Sequence, residues 1–315
     1  MSEARAAALQ MGPFSSYFEA GLAERFEVIR WFELSEPDRT QWLAQHAPRV
    51  RAVITGGNIG CSTALMQALP ALAIVAVNGV GVDKVDLDYA QRHQIRIATT
   101  PGALTDDVAD LAVGLVIALL RGIAAADAYV RSGAWTTHPF ALARKVSGRR
   151  FGVVGLGQIG AAIAARLTVF GPVAYTGPSR KSTPYEFHVD ARSLAQDSDV
   201  LVLACPANPA TRHLIGPAVI DALGPQGYLV NVARGSVVDE AALIAALQEG
   251  RLAGAALDVY ENEPQVPAAL RDSPKVVLTP HMASATLETR VRMAGMLFAS
   301  LDAAGYVTGN ILRRS

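Results

Sequence analysis

The stretch Val153-Val154-Gly155-Leu156-Gly157-Gln158-Ile159-Gly160 decides how the rest of the chain is read. A strand-like apolar run, residues 151–155, leads into it, and a helix-like stretch, 159–170, leads out. Each glycine in such a setting has its own reason. Gly155 permits the tight turn, Gly157 lets the backbone approach a diphosphate, and Gly160 lets helix and strand pack closely. The helix N-terminus offers free N–H groups and the positive end of its dipole to phosphate. A glycine-rich turn alone also serves as a plain structural corner. The flanking strand and helix make it a dinucleotide loop, with Gly155, Gly157, Gln158, Ile159 and Gly160 as expected contacts.

The alternation continues on both sides. Downstream, strand-like runs at 173–176, 200–204, 228–232, 255–259 and 276–278 are separated by helix-like pieces such as 240–248. Upstream, runs at 26–31, 52–55, 72–77 and 95–99 enclose helical stretches such as 37–46 and 62–69. This predicts an α/β protein with parallel sheets covered by helices. Residues 105–130 read as one long apolar helix joining the two series, with Thr105 as N-cap. Asp106 and Asp107 follow where the helix dipole favours anions. A second long helix, 287–304, follows the last strand and is placed to return to the first domain.

The chain's 315 residues suit two domains, at roughly 100–200 residues each. Hydrophobic residues make up 51% and charged residues 18%, which provides packed cores and excludes a disordered chain. Lys plus Arg, 28, balance Asp plus Glu, 28. A nucleic-acid partner asks for a basic excess, as does an anionic membrane surface, and there is none. The longest apolar run, 111–120, is half the roughly 20 residues of a membrane span. Met1-Ser-Glu-Ala-Arg carries no signal-peptide pattern. Two cysteines, Cys61 and Cys205, make neither a disulfide framework nor a Cys-rich metal site. The expectation is a soluble cytoplasmic protein that binds no metal, membrane or nucleic acid.

The choice of dinucleotide rests on the next strand-like run. An NAD site has Asp or Glu about 20 residues after the first glycine, to hold the ribose 2′-OH. Here that neighbourhood reads Tyr175-Thr176-Gly177-Pro178-Ser179-Arg180-Lys181-Ser182, and no carboxylate comes before Glu186. A hydroxyl and two cations, Ser179, Arg180 and Lys181, occur together instead. They suit a 2′-phosphate, which an acid there repels. NADPH is therefore expected, with NADH binding more weakly.

Three later segments end strand-like runs on polar residues. They are Asn231-Val232-Ala233-Arg234-Gly235, Leu257-Asp258-Val259-Tyr260-Glu261-Asn262-Glu263-Pro264 and Leu278-Thr279-Pro280-His281-Met282-Ala283-Ser284. Ligands of parallel sheets collect at the carboxyl ends of strands, so Arg234, Glu263 and His281 are expected to converge beside a nicotinamide. Reducing a 2-oxo acid takes a hydride and a proton on the ketone oxygen. Histidine titrates near neutrality, which suits His281 to the acid role. Glu263 is expected to hold its imidazole, and Arg234 to grip the substrate's carboxylate and keto oxygen in a planar fork.

These blocks resemble the D-isomer-specific 2-hydroxyacid dehydrogenase family, from Val80-Gly81-Val82-Asp83 through the glycine loop to Pro280-His281. The chain is most similar to the family's NADPH-dependent hydroxypyruvate, glyoxylate and hydroxyphenylpyruvate reductases. That likeness rests on Val82-Asp83-Lys84-Val85-Asp86-Leu87, Leu104-Thr105-Asp106-Asp107-Val108-Ala109-Asp110-Leu111, Gly133-Ala134-Trp135 and Ile220-Asp221-Ala222-Leu223-Gly224-Pro225.

The resemblance implies two Rossmann-like doubly wound domains with parallel sheets. A cofactor domain, 104–286, is inserted in a discontinuous substrate domain, 1–103 plus 287–315, and the cleft between them closes on substrate. It implies a substrate-binding Arg234, an acid–base pair of Glu263 and His281, and an Asp258 that contacts the nicotinamide carboxamide. Backbone N–H groups of Val80 and Gly81 would hold the substrate carboxylate. Trp135 would reach the partner subunit's site in a homodimer. Cys205-Pro206 matches a strand-end cofactor contact, which makes Cys205 a packed thiol and not a nucleophile. Val232 and Ser284, beside the matched residues, complete the expected cofactor contacts. Relatives carry Ser-Arg directly after the strand where this chain has Gly177-Pro178, and often Gly where it has Ala283.

The activity implied is reduction of a small 2-oxo acid to a D-2-hydroxy acid. Hydroxypyruvate, glyoxylate, 2-ketogluconate and aryl pyruvates all remain candidates, to be sorted by loops near Asn58, Asn78 and Trp135. A dinucleotide-sensing regulator on the same fold and an NAD-dependent dehydrogenase acting on a substrate such as phosphoglycerate are the alternatives. The acid–base set opposes the first, and the missing carboxylate near Tyr175 opposes the second.

Overall fold

The computed structural model describes residues 5–307 and 310–311. Residues 1–4 and 312–315, which carry the N-terminal reading and the outer limits drawn for the substrate domain, lie outside the described residues. The chain forms two compact units, Met1–Leu104 with Ala285–Ser315, and Thr105–Ser284.

In the first unit, strands β1 (Ala7–Gln10), β2 (Glu27–Arg30), β3 (Val50–Gly56), β4 (Ile74–Asn78) and β5 (Arg96–Ala98) form a parallel sheet ordered β2-β1-β3-β4-β5. Helices α1 (Ser16–Arg25), α2 (Glu36–His46), α3 (Thr63–Gln67) and α4 (Leu87–Arg92) connect them. Each starts on a side-chain cap, from Ser15, Ser35, Ser62 and Asp86. Strand β1 has no strand signature. Ala-Ala-Leu-Gln favours a helix, but pairing on both sides puts it inside the sheet with its apolar residues fully buried.

The second unit opens with α5 (Thr105–Arg121) and α6 (Ile123–Arg131). The single helix expected over 105–130 is thus two, bent by 60°. Gly122 takes a left-handed conformation at φ 62°, which ends α5 and redirects the chain. Thr105 is the first helical residue and not the cap before it. Asp106 and Asp110 both pair with Arg166, at 2.9 and 2.6 Å.

Beyond them come β6 (Phe151–Val154), α7 (Gln158–Leu167), β7 (Val173–Thr176), β8 (Glu186–His188), α8 (Ala191–Gln196), β9 (Val200–Leu203), α9 (Pro217–Leu223), β10 (Tyr228–Asn231), α10 (Glu240–Glu249), β11 (Gly254–Leu257), α11 (Ala268–Arg271) and β12 (Val276–Leu278). The strands form one parallel sheet, β12-β11-β10-β9-β6-β7-β8. Strands β6, β9 and β10 are buried along their length. Helices cover both faces, which is why these strands read as continuous apolar runs. Strand order reverses between β6 and β9, where open α/β sheets hold ligands beyond their carboxyl ends.

Helix α12 (Leu287–Ala303) belongs to the first unit. Thr286 caps it, Met293 is buried, and Ala294, Leu297 and Leu301 are buried in the cluster with Phe18, Leu22 and Ile74. The Phe298 ring fills the space a side chain on Gly21 would take. Among the described residues no single helix is long and apolar enough to cross a membrane, and α5 and α6 meet that test only as their bent pair.

Candidate active site

The glycine loop lies at the reversal point. Gly155 has φ +92°, and a Cβ there would stand 2.7 Å from the Cα of Cys205, so the turn after β6 lies flat against the turn after β9. A Cβ on Gly160 would meet the Gly155 carbonyl oxygen at 1.9 Å. Gly157 differs, because a Cβ on it meets nothing within 4 Å. That open space is where a diphosphate would approach. Gly157 also caps α7 without any side chain, so the first-turn N–H groups of Gln158, Ile159 and Gly160 have no intrahelical partner. These residues fit a dinucleotide.

After β7, Ser179 and Arg180 are exposed, and a Cβ on Gly177 meets open space. Lys181 departs from the expected trio. Its backbone N–H donates to the Tyr175 hydroxyl at 2.6 Å, and its ammonium donates to the Leu156 carbonyl oxygen at 2.6 Å. The lysine is folded back onto the glycine loop and does not stand as a second free cation beside Arg180.

At the carboxyl ends of β10, β11 and β12 lie Arg234, Glu263 and His281. Asn231 holds the first turn, accepting from Ala233 N–H and donating to the Arg234 carbonyl oxygen, both at 3.0 Å. Nδ1 of His281 lies 2.7 Å from Oε2 of Glu263, and Oε1 of Glu263 accepts from Tyr260 N–H at 3.1 Å. Burial alone would raise this carboxyl. The hydrogen bond and charge of His281, the Tyr260 N–H and the nearby Arg234 charge outweigh it and hold Glu263 below the ordinary glutamate value. His281 sits in the left-handed region at φ 51°, a costly backbone for a non-glycine residue that its surroundings must enforce.

Asp258 supplies that enforcement. It is fully buried. Its Oδ1 accepts from Thr279 Oγ1 at 2.6 Å and Met282 N–H at 2.9 Å, and its Oδ2 from Ala283 N–H at 3.0 Å. Its carbonyl oxygen accepts His281 N–H at 2.8 Å. The carboxylate is enclosed and committed to the turn that carries His281.

The remaining expected residues are placed as follows. Cys205 and Val232 are buried, Pro206 is exposed and Ser284 half-buried. Burial pushes the Cys205 thiol up to about 11 and Cys61 up to about 12, so both are inert at neutral pH. Val80 and Gly81 lie in the first unit, just after β4. Their loop is braced by Thr100 N–H on the Gly79 carbonyl oxygen, 2.9 Å, and Lys84 Nζ on that of Asn58, 2.6 Å. Trp135 is on a 3-10 turn after α6, 67% exposed.

Sequence reasoning missed Asn231, Thr279 and Tyr260, which hold the three turns. Tyr260 reaches the carbonyl oxygens of Leu257 and Thr279, at 3.1 and 2.9 Å. Asn231 had a signal, a polar residue closing an otherwise apolar run. The other two had none, because the contacts that join their turns, Tyr260 to Thr279 and Thr279 to Asp258, span about 20 residues.

Residues 113–283 match the family model described as D-isomer specific 2-hydroxyacid dehydrogenase, NAD binding domain. A hydroxyphenylpyruvate reductase of Plectranthus scutellarioides is 47% identical over 297 residues, 94% of each chain. A glyoxylate/hydroxypyruvate reductase A of Arabidopsis thaliana is 46% identical over 297 residues, again 94% of each. Among solved structures, an NADPH-dependent glyoxylate/hydroxypyruvate reductase from Sinorhizobium meliloti, in complex with NADP and malonate, superposes with a TM-score of 0.88. It is 38% identical, over 96% of this chain and 95% of that one.

Proposed function

The chain belongs to the D-isomer specific 2-hydroxyacid dehydrogenase family, and from that premise we propose that it reduces a small 2-oxo acid of the glyoxylate, hydroxypyruvate or aryl-pyruvate type to the D-2-hydroxy acid, using NADPH. The observation that carries this reading is the 2.7 Å pair of His281 and Glu263 with the Arg234 charge beside it, at the carboxyl edge of a nucleotide-type sheet. A protein that only sensed a dinucleotide has no use for such a pair.

The bound nicotinamide supplies the hydride. Every other part falls to the chain. With Nδ1 on Glu263, Nε2 is the ring nitrogen left to hand a proton to the ketone oxygen. The carboxylate of Glu263 steadies the imidazolium and fixes the ring's orientation. Arg234 holds the substrate's carboxylate and keto oxygen and stabilises the charge that grows there. Gly155, Gly157, Gln158, Ile159 and Gly160 hold the diphosphate, with Cys205, Pro206, Val232 and Ser284 along the rest of the dinucleotide. Ser179 and Arg180 take the 2′-phosphate. Support for NADPH comes from the absence of a carboxylate at 175–182 and from the Sinorhizobium relative's NADP complex. Val80 and Gly81 offer N–H groups to the substrate carboxylate.

The working unit is a homodimer. Its support is the apolar surface of α5, α6 and the following turn, where Ile123, Val130, Trp135 and Leu142 are exposed. An open groove of about 500 Å³ there is lined by Ile117, Arg121, Ile123, Ala126, Asp127 and Val130. Its residence is the cytoplasm, consistent with two unpaired, buried cysteines. The test is an absorbance assay of NADPH and NADH oxidation across a panel of 2-oxo acids. Oxidation of NADPH with glyoxylate or hydroxypyruvate is expected, and no oxidation of either cofactor with any acid overturns the reading.

A further inference from the structure

A second histidine–carboxylate pair lies behind the reactive set. His213 precedes α9 and, like His281, holds a left-handed backbone, φ 49°. Its Nε2 lies 3.0 Å from Oε1 of Glu261, two residues from Glu263. Arg212 donates to the same oxygen at 3.3 Å. On the other side, His213 N–H donates to the Ser236 carbonyl oxygen at 2.8 Å, two residues from Arg234. The pairing continues from Ile215 N–H to the Val237 carbonyl oxygen, 3.0 Å, and from Asp239 N–H back to that of Ile215, 3.1 Å. One residue therefore holds both the turn that carries Arg234 and the turn that carries Glu263.

The two turns also press on each other. A Cβ on Gly235 would fall 1.9 Å from the Tyr260 carbonyl carbon, so they meet backbone to backbone. Glu261 N–H donates to Oε2 of Glu240 at 3.3 Å, which brings two carboxyls together. Burial, and then the charge of Glu261, raise the carboxyl of Glu240 above its ordinary value. Arg212 and His213 are the donors that hold Glu261 beside it. Without them the Glu261 side chain keeps its acidic neighbour and loses its anchors.

We propose that His213 is a positioning residue, which sets the spacing between Arg234 and Glu263 by gripping Ser236 with its backbone and Glu261 with its imidazole. It acts through those two residues and on neither substrate nor cofactor. The consequence for turnover rests on the reading of Arg234, Glu263 and His281 as the reacting set; the geometric part does not.

The experiment measures amide hydrogen exchange and steady-state kinetics on the full chain as wild type, His213→Ala and His213→Gln. The Gln side-chain amide nitrogen reaches about as far as Nε2 and keeps a donor. His213→Ala keeps the backbone bond to Ser236 and loses the imidazole's hold on Glu261, so exchange is expected to quicken in the peptide covering 260–263 and to stay unchanged in the glycine loop. Misplacing catalytic groups by about 1 Å can cost about a hundredfold, so kcat/KM should fall by tenfold to a hundredfold. KM for the 2-oxo acid should rise along with the fall in kcat, while NADPH affinity holds. His213→Gln should restore most of both. Unchanged exchange at 260–263 overturns the proposal whatever the activity. Failure of Gln to rescue assigns the effect to ring packing and overturns it too. Should His213→Ala fail to fold, Glu261→Gln removes the charged acceptor, and the same exchange result decides. A wild type inactive on every 2-oxo acid sinks the proposed function, while the exchange measurement still decides on His213.

Discussion

Nδ1 of His281 lies 2.7 Å from Oε2 of Glu263, although 18 residues separate them in sequence. Their turns follow β12 and β11, and the carboxylate of Asp258 fixes the histidine's turn. Removing the imidazole leaves that scaffold intact, since Asp258 binds backbone N–H groups and Thr279 but not the ring. His281→Ala should lower turnover by about 10²–10⁴. NADPH affinity, read by fluorescence titration, should stay close to wild type. Full retained turnover removes His281 from the acid role.

Glu263 gives a signed pH dependence. Folding holds its carboxyl below the ordinary value of 4.5 and so favours the ionised form. Its contribution to stability is complete above the unfolded value and is lost as pH falls through the lower folded value. Thermal unfolding of wild type and Glu263→Gln should therefore differ most near neutral pH. The gap in Tm should close as the pH is taken below 4.5. A gap that stays constant over this range rules out the linkage.

Much of this architecture is legible in the sequence because a doubly covered parallel sheet needs continuous apolar strands. Val200-Leu201-Val202-Leu203 admits little other reading, and the glycine loop announces its own turn. What escapes depends on tertiary partners. Strand β1 is a strand only because β2 and β3 flank it. Gly122 breaks a helix that its apolar neighbours alone would continue. The resemblance implies an Asp258 contact to the nicotinamide, but only the fold reveals that its carboxylate also holds the turn that carries His281. The sequence likewise sets Lys181 beside Arg180, and the Tyr175 hydroxyl then turns it toward Leu156.

The two glycines of the loop should fail in different ways. A methyl group on Gly160 collides with the Gly155 carbonyl oxygen, so Gly160→Ala should lower Tm and cofactor affinity together. Gly157 has open space around it, so Gly157→Ala should fold with the wild-type Tm. Its methyl group would instead keep a diphosphate from the N–H groups. Losing one hydrogen bond to a charged group costs about 1.5–3 kcal/mol, roughly tenfold or more in Kd. Calorimetry and cofactor titration on the two variants check this. A destabilised Gly157→Ala contradicts the open space.

Cofactor choice should separate Arg180 from Lys181. Arg180 is exposed after β7, so Arg180→Ala should weaken NADPH by roughly tenfold or more, as for one lost charged contact, and leave NADH nearly unchanged. Lys181 is tied to the Leu156 carbonyl oxygen, so Lys181→Ala should loosen the glycine loop and weaken both cofactors alike. Gly177, with room for a side chain, offers the converse change. A carboxylate introduced as Gly177→Asp accepts the ribose 2′-OH and repels a 2′-phosphate. It should move preference toward NADH. Competition titrations of NADPH and NADH on the three variants decide, and equal losses for both cofactors in Arg180→Ala would reject the 2′-phosphate assignment.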